Sequence, residues 1–153
     1  MFDDQNPDVT VLNSLITTTI DSALGFEESA ERSDNPRFQA MFREYAGERR
    51  QVVSRLQDEV RRLGGTPEDD GSVKAAAHRR WVDLRDAVSS SGDKEVIAEV
   101  ERGEDYIKGK YEAALRDDEL SAETRSVISQ AFESVRSGHD RASALKHSME
   151  QTS

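Results

Sequence analysis

The stretch 35–67, NPRFQAMFREYAGERRQVVSRLQDEVRRLGGTP, carries the start, the interior and the stop of one long helix. Asn35 is an N-cap residue type, and Pro36 behind it suits the first helical position, where no backbone N–H is needed. Phe38, Met41, Tyr45, Glu48, Val52, Leu56, Val60 and Leu63 then recur at three-and-four spacing, the signature of a buried helical stripe. Gly64-Gly65-Thr66-Pro67 ends it, glycine first and proline after.

The same spacing appears on both sides of this stretch. Leu12, Ile16, Ile20, Ala23, Glu27 and Ala30 mark a helix over 8–32. Ile97, Val100, Glu104, Ile107, Tyr111 and Ala114 mark one over 93–116. Leu120, Thr124, Val127, Ala131, Val135, His139, Ala142 and Leu145 mark one over 120–149. Asn6-Pro7-Asp8 precedes the first, Asp93 caps the third, Asp117-Asp118 forms a short turn, and Ser121 caps the last. The run VTVLNSLITTTI at 9–20 is rich in β-branched residues and suits a strand by propensity. Its spacing continues through Ala30 without a turn, which favours a helix.

Tight turns join the first helix to the second and the third to the fourth, so each pair forms an antiparallel hairpin. Roughly 28 residues separate Gly65 from Gly92, enough to travel the length of a bundle at about 1.5 Å per helical residue. Within them a shorter helix is expected near 72–89, capped by Gly71-Ser72. Two hairpins joined by one long crossover is a ferritin-like topology. The expectation is a single all-α domain over 1–153, a four-helix bundle with a short crossover helix and loose ends at 1–7 and 150–153.

Composition narrows the function. The net charge is −10 over 153 residues, with 34% charged and 6% aromatic residues. Such a chain repels phosphate backbones and anionic lipid, which argues against nucleic acid and membrane surfaces. There is no cysteine, which removes disulfides, thiolate metal sites and thiol catalysis. The start, MFDDQNPD, lacks the basic and apolar regions of a signal peptide, and no apolar run is read as approaching transmembrane length. A soluble cytoplasmic protein is expected.

Carboxylates on an apolar stripe are costly unless paired, hydrogen-bonded or metal-bound. Glu27, Glu48, Glu104 and His139 occupy such positions, and facing carboxylates are how bundles build metal sites. Distance along each hairpin selects a different, overlapping set. Counted from the turn near Asp34, Glu48 lies opposite Asp21. Counted from the turn near Asp118, Glu104 lies opposite Glu133, with His139 about two turns further. A mid-bundle site would therefore draw on Asp21, Glu48, Glu101, Glu104 and Glu133, binding a hard divalent ion such as manganese, magnesium or calcium through oxygen. The plainer reading is that these acids are solvated or paired with arginines such as Arg49, Arg50 or Arg102, and that His139 bonds a carbonyl or carboxylate.

His78-Arg79-Arg80-Trp81 is a second constellation. His78, Arg79 and Trp81 suit a docking element for an anion or a partner. They equally suit a structural anchor, since Trp81 falls in phase with Ala77, Leu84 and Val88. Gly25, Gly47, Gly103 and Gly138 lie inside the four long helices, at about 1 kcal/mol each relative to alanine. They point to close helix contact or to room for bulky neighbours. No nucleophile–base pair and no phosphate loop is found.

The run from Gly64-Gly65-Thr66-Pro67 through Gly71-Ser72-Val73 to His78-Arg79-Arg80-Trp81, with the later Glu101-Arg102-Gly103-Glu104-Asp105, resembles a bacterial family of unknown function, domain of unknown function 2383. The resemblance runs from about Val11 to Lys146. It implies a ferritin-like four-helix bundle and no particular activity. Iron-binding ferritin relatives carry Glu-x-x-His on two helices. Here Glu48 is followed by Gln51 and Glu133 by Arg136, so both histidines are missing. The expected function is a non-enzymatic, stress-related interaction module acting through a protein partner or a homo-oligomer, with no cofactor required. The alternative is a carboxylate-rich metal-binding or redox bundle with a degenerate site.

Overall fold

The computed structural model describes residues 6–69 and 93–151. Among them are four helices: α1 (Pro7–Arg32), α2 (Pro36–Arg62), α3 (Asp93–Leu115) and α4 (Ala122–Gln151). The crossover helix expected near 72–89, and with it His78, Arg79 and Trp81, lies outside the described residues.

The helix ends follow from the sequence signals. Asn6 accepts from the Asp8 N–H and Asn35 from the Arg37 N–H, with Pro7 and Pro36 at the first helical positions. The C-terminus of α2 is a Schellman motif. Gly64 sits at φ 83°, its N–H donates to the Arg61 carbonyl, and the Gly65 N–H donates to the Val60 carbonyl. Gly65 is also required by contact. A Cβ there would lie 2.9 Å from a Val9 methyl and 3.1 Å from one of Val60. At the other hairpin the Ser121 hydroxyl accepts from the Thr124 N–H, and Arg125 donates to the Leu115 and Asp117 carbonyls that the end of α3 leaves open.

Side-chain contacts fix the helix directions. Thr19 on α1 meets Tyr111 on α3, whereas Asp8, further back on α1, accepts from the Ser121 N–H beyond the end of α3. On the other side Glu59 of α2 meets Thr124 of α4, and Glu48 meets Arg141. Each helix is therefore antiparallel to both of its neighbours, in the order α1, α2, α4, α3 around the bundle. The end of α2 and the start of α3 consequently lie at opposite ends. Asn13 and Gln57 hold the chain leaving α2 against the hairpin through Thr66 and Glu68.

Among the described residues the core has two apolar clusters. One gathers Leu12, Ile16, Ile20, Val52, Leu56, Val60, Ile107, Tyr111, Ile128 and Val135. The other gathers Phe26, Ala30, Phe38, Phe42, Tyr45, Val96, Ile97, Val100 and Ala142. Phe26 stacks on Phe42 and meets Tyr45 edge-on, at centroid distances of 6.2 and 5.5 Å, geometries that aromatic pairs favour.

One expectation is corrected. By length and composition α1 is apolar enough to cross a membrane, with an 18-residue window of mean hydropathy 1.2. Half of that window is buried inside the bundle, as the threonine- and isoleucine-rich α1 packs against both α2 and α3.

Candidate functional site

A polar layer separates the two clusters, and all four helices contribute to it. At its centre Arg49 of α2 and Glu104 of α3 are each 2% exposed. The Arg49 Nη2 donates to the Glu104 Oε2 over 2.5 Å. The same guanidinium donates through Nη1 to the Ser22 hydroxyl on α1 at 3.2 Å and through Nη2 to the Val135 carbonyl on α4 at 3.4 Å. Its face lies 5.4 Å from the centre of the Phe26 ring, a cation–π distance.

Room for this pair comes from Gly138. A Cβ at that position would collide with the Arg49 Nη2 and lie 3.2 Å from the Glu104 Oε2. Burial pushes the Glu104 carboxyl above its ordinary 4.5, against the opposing pull of Arg49. Arginine stays protonated under all folding conditions, so the layer holds a fixed cation and a carboxylate whose charge is costly to bury. The arrangement neutralises charge.

Further pairs flank the layer. Arg141 donates to Glu48 at 2.6 Å and stacks over Tyr45 at 4.3 Å. His139 bridges Asp105 on α3, at 2.6 Å from its Nε2, and Asp140 beside it. Lys146 donates to Glu101 at 2.9 Å. At the far end Glu59 accepts from Arg62 and Thr124, and the Arg62 hydrogen bond leads in holding its carboxyl below the usual value.

The sequence-derived site residues are dispersed by this geometry. Glu104 is buried in the layer. Glu48 and Glu101 each face a cation across a helix interface. Glu133 is exposed on α4, and Asp21 is partly buried on α1. Glu27, placed on the α1 stripe by spacing, is exposed and accepts from Arg50 at 3.2 Å. Among the described residues no group of three or more histidine, aspartate or glutamate side chains could hold a metal ion.

Glu104 alone is common to the set drawn from spacing and to the layer. Spacing along the hairpins put Asp21, Glu48, Glu104 and Glu133 in one layer, and the structure puts Ser22, Arg49, Glu104 and Val135–Gly138 there. Three of the four elements are shifted by one or more residues. The missed signal was aromatic. Phe26 and Phe42 each bury a larger apolar surface than Glu27 or Met41 and set the helix phase. That rotation carries Glu48 outward and Arg49 inward. Gly138 was visible as an internal glycine, but not as the space for a guanidinium.

The family model described as domain of unknown function (DUF2383) matches residues 8–117. The chain belongs to that family. The match covers α1, α2 and α3, and α4 lies beyond it. No curated protein matches the chain.

Proposed function

We propose that this protein is a non-enzymatic helical bundle that acts by binding a basic protein partner, and that its internal acids serve the fold. The observation that carries this is the Arg49–Glu104 pair. The one deeply buried carboxylate of the central layer is met by a guanidinium drawn from the facing helix. Glu48 and Glu101 are likewise met by Arg141 and Lys146. A metal-binding bundle instead needs carboxylates that converge on one point. The net charge of −10 favours a partner of opposite sign and disfavours nucleic acid and anionic membrane. The cytoplasmic setting expected from composition, the ferritin-like description of the fold and the helix near 72–89 belong to the same proposal. The last two are supported by the opposite placement of the end of α2 and the start of α3.

The test has two parts. Site-specific photo-crosslinking from exposed positions on α3 and α4 in the native cell should recover a defined basic partner. The yield should fall as ionic strength rises. Metal analysis of the purified protein should find no stoichiometric divalent ion, and its melting temperature should not respond to millimolar manganese, iron or calcium. A saturable metal-dependent rise, lost in Glu104→Gln, would replace this reading with the metal-binding one.

A further inference from the structure

We propose that the groove between α1 and α3 is the seat of the chain's own segment 70–92, anchored by the Trp81 indole. The groove holds about 290 Å³. An engineered apolar protein cavity of about 150 Å³ accepts benzene, so roughly twice that volume accepts a bicyclic ring. Phe26, Val100 and Ile107 supply apolar wall, and Gly25 on α1 and Gly103 on α3 add no side chain to it. Asp21, Glu99 and Arg102 are among its polar groups, and Arg102 pairs with Glu99.

The anchored chain on either side of the segment sets its path. Asn13 on α1 donates to the Thr66 carbonyl at 3.1 Å and accepts from the Glu68 N–H at 2.8 Å. Gln57 on α2 donates to the Glu68 carbonyl at 2.9 Å. The chain leaving α2 thus lies on the α1 side of that helix, away from α4. At the other end Val96 and Ile97, near the start of α3, pack in the cluster that holds Phe26 and Ala30. The connection must therefore climb α1 from the level of Asn13 to that of Ala30 and reach α3 across the α1–α3 face. Trp81 stands midway in sequence between Glu68 and Asp93. Midway between Asn13 and Ala30 on α1 stand Asp21 and Ser22, and both line the groove. By helical spacing Ala77, Leu84 and Val88 share a face with Trp81, an apolar stripe to lay along an apolar groove. Charge is complementary as well. The segment carries Lys74, Arg79, Arg80 and Arg85 against Asp70, Asp83 and Asp86, in a chain of net charge −10. The arginines beside Trp81 suit a groove bordered by Asp21 and Glu99. This inference rests on the crossover reading above and is independent of the basic partner.

Trp81 is the chain's single tryptophan, so its emission and its NMR contacts report on the seat directly. In the purified native chain the emission should be blue-shifted and shielded from acrylamide. The indole protons should show NOEs to the Val100 and Ile107 methyls. Trp81→Ala should lower the melting temperature by roughly 6–20 °C and open the groove. Added indole should then raise that melting temperature saturably and restore NOEs to both methyls, with no effect on the native chain. A red, acrylamide-accessible emission overturns the proposal. So do NOEs from Trp81 to α4, or to a second copy in mixed-isotope samples. A folded Trp81→Ala chain that indole does not rescue, or rescues without contacts at Val100 and Ile107, overturns it too. If Trp81→Ala does not fold, the native emission and NOEs decide alone. All of these readouts use the isolated chain, so the result of crosslinking in the cell does not bear on them. A seated Trp81 without helical NOEs over 72–89 would remove the crossover helix and leave the seat.

Discussion

Arg49 and Glu104 set the terms at the scale of single residues. Removing one member of a buried pair strands the other charge, so Glu104→Leu should cost about 3–5 kcal/mol. Replacing both by apolar residues of similar volume, Arg49→Met with Glu104→Leu, should recover most of that loss or exceed the native stability. Urea denaturation of the two singles and the double measures this. A double variant as unstable as the worse single would show that the layer is held by something other than the pair. Tyr111 gives a pH dependence. It is fully buried and shares a 2.8 Å hydrogen bond with Thr19. Burial pushes its hydroxyl from 10.0 up to about 12. The native state therefore keeps a proton that the unfolded chain releases above pH 10. Stability from this group is complete below pH 10 and is lost as pH rises towards 12. Tyr111→Phe should be flatter across that window in denaturation series at stepped alkaline pH, and equal slopes would contradict the assignment.

Among the helices, internal glycines that look alike in sequence have opposite roles. Gly47 on α2 is exposed, and a Cβ there meets nothing within 4 Å. Gly47→Ala should stabilise by up to about 1 kcal/mol through helix propensity. Gly138 on α4 is buried against Arg49 and Glu104. Gly138→Ala gains the same propensity but must displace a guanidinium held by three helices, at the 1–3 kcal/mol typical of overpacking. The net effect should be neutral to about 2 kcal/mol destabilising, and additional to Gly47→Ala because the sites share no partner. Thermal melts of the two variants give the comparison. A Gly138→Ala protein more stable than native would mean that the pair yields easily. The helix ends were legible beforehand, because Asn35-Pro36 and Gly64-Gly65 act through local backbone chemistry. The phase was legible on α3, where Ile97, Val100, Glu104, Ile107 and Tyr111 are buried as their spacing has them, but not on α2, where spacing alone admits both the Met41–Glu48 line and the Phe42–Arg49 line.

At the scale of the molecule, α4 is integral even though the family match ends at residue 117. Ile128, Ala131 and Val135 belong to one cluster and Ala142 to the other. Val135 and Gly138 also complete the polar layer. A chain ending at residue 117 would expose both clusters and leave Arg49 and Glu104 open to water. Calorimetry should find no cooperative transition in that fragment, whereas the full chain should melt in one step by both near- and far-UV circular dichroism. A fragment that melts cooperatively would mean that three helices suffice and that α4 is an accessory.

The sequence alone determined the four long helices, to within two residues at each end, and the two hairpins. Those features depend on local signals: caps, glycine stops and proline placement. It also named Glu104 as a buried acid. Only the tertiary structure decided what faces it. Helix rotation is set by how four apolar faces fill one volume together, and Phe26 and Phe42 outweigh Glu27 and Met41 in that competition. The same one-residue turn places Arg49 against Glu104 and moves Glu48 out to Arg141. A pattern that read as converging carboxylates thereby folds into separate ion pairs.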